Sequence, residues 1–248
     1  MFKKIIFYST ILGALTFQNC KPTEEDPEPT PITAPEIMVP SHIKNVDGIL
    51  VSIITASKEA STETKIGTAY AAFYKGQNSS IKLDATSVKI NSKVTTKSDD
   101  NVYFYDISAT EPLGLDFKSQ INWQVTGNTT TGVPVISNND GSGFPNVPSL
   151  PEFINMNPDQ DKLINWSSSF GADSVVFTVK GPLSTFKRVF NNTVNSFTIP
   201  KAEITKLGIG NGSLQIICYK VEPKTFGSKN YAFIKECISI CKKVNITL

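Results

Sequence analysis

The strongest constraint on the fold is the shortness of the apolar runs, which turn-forming residues interrupt along the whole chain. These runs are rich in Val, Ile, Thr, Phe and Tyr, which favour strands. No window carries apolar residues at the three-and-four spacing of a long amphipathic helix. Pro and Gly occur 15 times each, many of them between the runs. The pattern therefore predicts an all-β protein built from many short strands.

In the first half of the chain, five runs predict strands. The clearest is 120–125, where Ile121, Trp123 and Val125 alternate with polar residues and therefore share one face. The others span 49–54, 67–74, 85–90 and 102–107. Short strands separated by turns are typical of a β-sandwich, so we expect one sandwich domain over residues 41–143.

In the second half, alternation is again the main signal, and Val175, Phe177 and Val179 share one face of a run at 173–179. Pro200 opens a run that ends before Gly208, which predicts one short helix at 201–207. Further strands are expected at 163–166, 185–190, 195–199, 214–221, 231–240 and 244–248, with a loop at 222–230.

The order of these features resembles that of fibronectin type III and immunoglobulin-like domains. The resemblance covers roughly residues 150–248 and rests on the strand with Trp166, the alternating strand after it, the turn at 200–207 and the final hairpin. It implies a second sandwich over 144–248. The expected fold is thus all-β, with two immunoglobulin-like β-sandwich domains, an architecture that carries many unrelated functions.

The first residues have the parts of a bacterial leader, with Lys3 and Lys4 ahead of an apolar run at 5–17. That run is too short to span a bilayer. Leu15-Thr16-Phe17-Gln18-Asn19-Cys20 resembles a lipobox of the looser kind found in Bacteroidetes-type and spirochaete lipoproteins. The resemblance implies a signal peptide over 1–19 and lipid attachment at Cys20. The alternative is an ordinary secretory signal that happens to contain a cysteine.

Residues 20–40 predict a disordered, extended tether, because six prolines and five acidic residues lie between positions 21 and 40. The acidic run resembles signals that export some lipoproteins to the cell surface. Leader, tether and stretches such as 47–51 and 171–175 together resemble uncharacterised two-domain lipoproteins of Bacteroidetes-type bacteria. We therefore expect a protein anchored by lipid in the bacterial outer membrane, facing the periplasm or the cell surface.

Charge disfavours nucleic acid as a partner. The chain has 24 basic and 22 acidic residues, and removal of Lys3 and Lys4 with the leader leaves 22 of each. A neutral chain has no general attraction to phosphate backbones. Arg188 is the only arginine, which also disfavours a bidentate clamp for phosphate or carboxylate groups.

Candidate chemistry is sparse. His42 is the single histidine, so any Ser-His-Asp or Cys-His site would have to use it. The loop Asn138–Gly143 and the pair Asp159 and Asp161 weakly suggest calcium ligands, and turns are the preferred interpretation. The sequence predicts no catalytic residues, no metal and no cofactor.

The cysteines other than Cys20 lie near the end of the chain, at positions 218, 237 and 241. An odd number leaves at least one thiol free or intermolecular in an oxidising compartment. Cys218 could face Cys237 across a hairpin, but the sequence does not fix the register. Inert buried thiols or a bridged pair both remain open.

These features predict a non-catalytic binding or adhesion module rather than an enzyme, with the membrane as one partner and a glycan or an envelope protein as another. Tyr103, Phe104 and Tyr105 could present a ring to a sugar, although core packing is the preferred interpretation. One alternative is a structural stalk or fimbria-like subunit, which requires an open sheet edge. Another is a glycan hydrolase with two carboxyl groups about 5 to 10 Å apart.

Overall fold

The computed structural model describes residues 43, 45–59, 62–117, 120–146, 150–165, 170–191 and 196–248. This part of the chain contains fifteen strands and one helix, α1 (Lys201–Leu207). The strands of the first half are β1 (Gly48–Glu59), β2 (Thr62–Phe73), β3 (Val88–Ile90), β4 (Lys93–Val94), β5 (Thr96–Lys97), β6 (Val102–Phe104), β7 (Ile121–Val125) and β8 (Ile136–Asp140). The remaining strands are β9 (Phe153–Met156), β10 (Lys162–Asn165), β11 (Ser174–Lys180), β12 (Thr185–Asn191), β13 (Ser196–Ile199), β14 (Gly210–Phe226) and β15 (Lys229–Ile246).

One nine-stranded sheet joins the two halves of the sequence. Its order is β12-β11-β14-β15-β1-β2-β6-β5, and β9 also pairs with β15. The long strand β15 is antiparallel to β14 along most of its length. Its other edge is shared, because 231–240 pair in parallel with β1 and 243–246 pair in parallel with β9. Two smaller sheets, β4-β3-β7-β8 and β10-β13, complete the described strands.

Both smaller sheets pack on the same side of the large sheet, which we call the core face. Successive strand residues point to opposite sides, so Tyr231, Phe233, Cys237 and Cys241 of β15 all lie on this face. Tyr231 and Phe233 belong to a core with Trp123 of β7 and its neighbours. Cys237 and Cys241 belong to a second core with side chains of β9, β10, β13 and α1.

The opposite side of the large sheet, which we call the far face, is also apolar. Ile49, Val51, Tyr70, Ile217 and Ile234 lie there and are buried. Among the described residues, the cluster on this face contains side chains of the large sheet and its flanking segments, and none from the smaller sheets or from α1. Ile43 and Val46, just ahead of β1, pack against it.

The prediction of an all-β, sandwich-like fold is confirmed. The helix at 201–207 is confirmed with the predicted bounds, and the alternating runs at 120–125 and 173–179 form β7 and β11. The division into two separate sandwiches at residues 143 and 144 is not confirmed. Two of the three buried apolar clusters lie on the core face, but they share one sheet, and Phe144 packs against both of them.

The predicted loop at 222–230 was wrong. β14 continues to Phe226 and β15 begins at Lys229, so only residues 227 and 228 form the turn. Pro223 is tolerated because its strand pairs with β15 on one side, and no described strand pairs with its other side at that position. The separately predicted strand at 244–248 is the end of β15.

Because β1 and β15 join both cores through one sheet, we expect the described fold to unfold in a single transition. The variant Trp166→Phe tests this, because it leaves Trp123, which is buried in one of the two cores, as the single fluorescence reporter. In guanidinium, its fluorescence midpoint should equal its circular dichroism midpoint, which reports the strands around both cores. Two separated midpoints would contradict a single cooperative unit.

Candidate functional site

A group of polar side chains separates the two cores on the core face, and we call it the polar seam (Ser52, Asp140, Ser142 and Lys235). Ser52 of β1 lies directly opposite Lys235 of β15 in the parallel ladder. The Lys235 ammonium is 2.6 Å from the Asp140 carboxylate, and the two side chains are only 4% and 8% exposed. The Lys235 ammonium also contacts the Ser142 hydroxyl, and the Ser142 N–H donates to Asp140 Oδ1 at 2.7 Å.

A serine beside a lysine suggests a nucleophile and its base, but that chemistry requires a neutral amine. Burial alone would raise the pKa of Asp140, and the hydrogen bonds from Lys235 and Ser142 outweigh it and hold the pKa at about 2. The Asp140 carboxylate therefore stays charged at neutral pH and holds the side chain of Lys235 by hydrogen bonding rather than leaving it free to act on Ser52. The adjoining cavity measures about 10 Å³, room for no more than a water molecule. The seam is a structural ion pair.

The calcium ligands weakly suggested at Asn138–Gly143 include Asp140, whose carboxylate is already paired with Lys235. Asn138 and Asp140 lie in β8 rather than in a loop, and the ammonium of Lys235 sits against Asp140 Oδ2. Asp161 accepts the first N–H of α1 from Lys201 at 2.8 Å, which satisfies one of the free donors of the helix start. Within the described ranges, no three His, Cys, Asp or Glu side chains lie close enough to hold a metal ion.

Glu236 follows Lys235 in β15 and points to the far face. It is 3% exposed and lies opposite Tyr219 of β14. Burial raises the pKa of Glu236 to about 8, and no described residue forms an ion pair with it. Burial, followed by the charge of Glu236, raises the pKa values of Tyr70 and Tyr219. The carboxyl group is therefore protonated at neutral pH, and it is buried on the apolar far face.

The two edge strands of the large sheet differ in length. At one end, β5 has only two residues. At the other end, β12 has seven residues and pairs with β11 alone among the described strands. Unpaired N–H and C=O groups along such an edge are a template for a further strand. Among the described strands, β12 therefore offers the unpaired edge that strand addition requires.

The side chains of β12 divide between the two sides of the strand. Phe186 and Phe190 are partly buried and contact Phe197, at ring-centroid distances of 5.8 and 5.0 Å. The Arg188 guanidinium lies over this group, 5.5 Å from the ring of Phe190 and 5.4 Å from that of Phe197. Lys187 is exposed, as is Val189 at 57%. The aromatic contacts hold the edge strand in place, and no described strand pairs with its outer side.

The aromatic run at 103–105 lies in the core rather than on a surface for sugars. Tyr103 is 1% exposed, donates to Asp84 at 2.5 Å and accepts from the N–H of Ala85 at 2.8 Å. Tyr105 is 8% exposed and its hydroxyl contacts Glu111. The preferred interpretation of this run as core is confirmed for both tyrosines.

Two of the predicted residues lie outside the described part of the chain: the lipid-attachment candidate Cys20 and the single histidine His42. The open edge was not predicted, because edge status depends on the order of strands in the sheet. Lys235 and Glu236 were missed as well. Two adjacent charges inside the apolar run 231–241 were the signal that could have found them.

No protein-family model matches the chain, and no curated protein matches it at a significant level. In the described residues there is also no helix whose length and apolar content would let it cross a bilayer.

Removal of the lysine from the seam should be strongly destabilising. Lys235→Met leaves the Asp140 carboxylate buried without its partner, and we expect a loss of about 3 kcal/mol in the free energy of unfolding at pH 7. The pKa of Asp140 lies below its unfolded value, so the pair stabilises the fold above about pH 4 and loses that effect as the pH falls toward 2. The loss caused by Lys235→Met should therefore shrink on acidification.

Guanidinium unfolding at pH 7 and at pH 3 measures this difference. Lys206→Met is the matched control, since Lys206 forms an exposed pair with Glu203 on α1 and should change stability by about 0.5 kcal/mol or less. Equal effects of the two substitutions would contradict a buried ion pair. The double variant Lys235→Met with Asp140→Leu should recover much of the stability, because no uncompensated charge remains.

Proposed function

We propose that this chain is a lipid-anchored protein of the bacterial envelope whose folded part is a non-catalytic binding module. The binding site is the open edge of β12, which accepts an extended segment of a protein partner as an additional strand. The observation that carries the proposal is the seven-residue edge strand with no partner strand on its outer side among the described residues. In this mode main-chain hydrogen bonds supply affinity, and side chains on both sides of the strand supply specificity.

The charges on β12 indicate what the partner contributes. Lys187 and Arg188 are exposed, and neither forms an ion pair within the described part of the chain. An incoming strand with acidic side chains opposite these two positions would gain from charge complementarity, since opposite charges across strands are favourable. The ring of Phe190 beside Arg188 offers apolar contact on the same face.

The lipid anchor rests on the sequence. The resemblance of 15–20 to a lipobox supports attachment at Cys20, and the proline-rich acidic segment after it supports a spacer. The proposed location is the outer membrane, with the folded part in the periplasm or at the cell surface. The immunoglobulin-like patterning of 150–248 fits this role, because such sandwiches present sheet edges to partners and carry no fixed chemistry.

The same edge supports a second candidate, a structural subunit that assembles with copies of itself. The charge on β12 argues against this self-assembly. Antiparallel pairing of two β12 strands about their centre would place Arg188 opposite Arg188, and like charges directly opposite are destabilising. A distinct acidic partner is therefore the favoured occupant.

Site-specific photo-crosslinking tests the edge. A benzophenone amino acid at position 189, on β12, should give a defined adduct in cells of the native bacterium, because that side chain sits on the open edge and is 57% exposed. The adduct is read by mass spectrometry, and its second component should be a different protein rather than this chain. A self-adduct would favour the structural subunit.

Position 135 provides the matched control. Val135 is 71% exposed and precedes β8 of a smaller sheet, outside the strands of the large sheet, so it reports contact that does not involve β12. Adducts of equal strength from positions 189 and 135, or none from 189, would contradict the proposal. Replacement of Lys187 and Arg188 by Glu should weaken the adduct from 189 while the circular dichroism spectrum stays unchanged.

Metabolic labelling tests the anchor. Cells given an alkyne fatty acid should incorporate the label into the unmodified protein and not into Cys20→Ala, because the thiol of Cys20 is the proposed attachment point. Cys241→Ala serves as a control for the loss of a thiol elsewhere and should keep the label. Label retained in Cys20→Ala would refute the assignment.

A further inference from the structure

Cys218 and Cys237 lie directly opposite each other in the antiparallel ladder of β14 and β15. Both side chains point to the core face and belong to the same core, where they are 0% and 1% exposed. Directly opposed residues in antiparallel strands have Cα atoms about 4.5 to 5.5 Å apart, which falls within the range of about 4.4 to 6.8 Å that disulfides use. The register that the sequence could not fix thus pairs these two thiols.

The third thiol on this strand has a different neighbour. Cys241 lies opposite Leu214, and it is four residues beyond Cys237 along β15, so strand geometry separates the two by about 13 Å. Its thiol contacts the carbonyl of Glu152 at 3.5 Å. All three cysteines are free thiols in this structure, and that of Cys237 donates to the carbonyl of Pro145 at 3.1 Å. Strand geometry therefore favours a bond between Cys218 and Cys237 over either pairing that uses Cys241.

We propose that Cys218 and Cys237 form a disulfide when the chain folds in the presence of a disulfide oxidant, and that Cys241 remains a thiol. The thiolate of one cysteine attacks the oxidant, forms a mixed disulfide and releases one thiol. The thiolate of the second cysteine then displaces the second thiol. Two protein thiols are oxidised to one S–S bond, one oxidant disulfide is reduced to two thiols, and the protons of the cysteines pass to the released thiolates.

The position of the pair determines when this exchange happens. Attack requires a thiolate, and burial raises the pKa of both cysteines, that of Cys237 to about 12. Neither sulfur is accessible once β9, β10 and α1 cover the core face. The bond therefore forms before the core closes, and the folded reduced protein resists oxidation. Once formed, it crosslinks the long hairpin near its centre, across residues 219–236.

Refolding of the full-length chain tests the pairing independently of where the protein resides. The reduced chain is unfolded in guanidinium and refolded in a mixture of reduced and oxidised glutathione. Remaining thiols are then alkylated, and the digest is mapped by mass spectrometry without reduction. We expect a linked peptide pair that contains Cys218 and Cys237, with Cys241 alkylated. A link that uses Cys241 or Cys20, or full alkylation of Cys218 and Cys237, would overturn the proposal.

Variants and a second condition sharpen the result. Cys241→Ala should retain the link, whereas Cys218→Ala should lose it without a new link from Cys237 to Cys241. If Cys218→Ala fails to fold, the map of the unmodified chain still decides.

The reduced chain exposed to the same mixture after folding should remain unlinked for far longer than the refolding sample. Equally rapid linkage in both samples would contradict formation of the bond before core closure. The linked form should also unfold at a higher denaturant concentration than the reduced form.

Discussion

The parallel pairing of β1 with β15 is the interaction on which the rest of the structure depends. It joins the start of the described chain to its end, from Gly48 opposite Tyr231 to Ser57 opposite Ile240. Without it, the hairpin of β1 and β2 and the hairpin of β14 and β15 would belong to separate sheets. Contacts over such a sequence separation form late, because the closure of a long loop costs entropy before the pairing is gained. The large sheet can therefore form completely only when the chain from β1 to β15 is available to pair.

A shared sheet brings two apolar cores side by side, and the polar seam lies where they meet. Lys235 sits between Phe233, which faces one core, and Cys237, which faces the other. Because strand residues alternate, a shift of one position would turn the lysine to the far face and Glu236 to the core face. Asp140, at the end of β8, binds the lysine only in the observed register. The ion pair thus specifies the alignment of β8 on β15 as well as stabilising it.

Local sequence patterns predicted the local elements of this fold. They did not predict the features that depend on pairing between distant strands. Alternation identified β7 and β11, and proline and glycine bracketed α1, since each signal lies within a few neighbouring residues. The Asn-rich sequence of β8 is a turn signal and predicts a loop, whereas burial of Ile136 and Asn138 and pairing with β7 make it a strand. The open edge at β12 and the pairing of Cys218 with Cys237 depend on sheet order and register, which no local pattern contains.

The buried carboxyl of Glu236 alters the proton balance of the molecule. Its pKa is about 8 in the folded chain and about 4.3 in an unfolded one, so folding at pH 7 takes up close to one proton from the solvent. Protonation of Glu236 makes the net charge of the folded chain about one unit more positive than its formal value. The same proton makes the fold less stable as the pH rises from about 4.5 to 8, after which the dependence levels off. One buried carboxyl group thereby couples folding of the sheet to the acidity of the surrounding compartment.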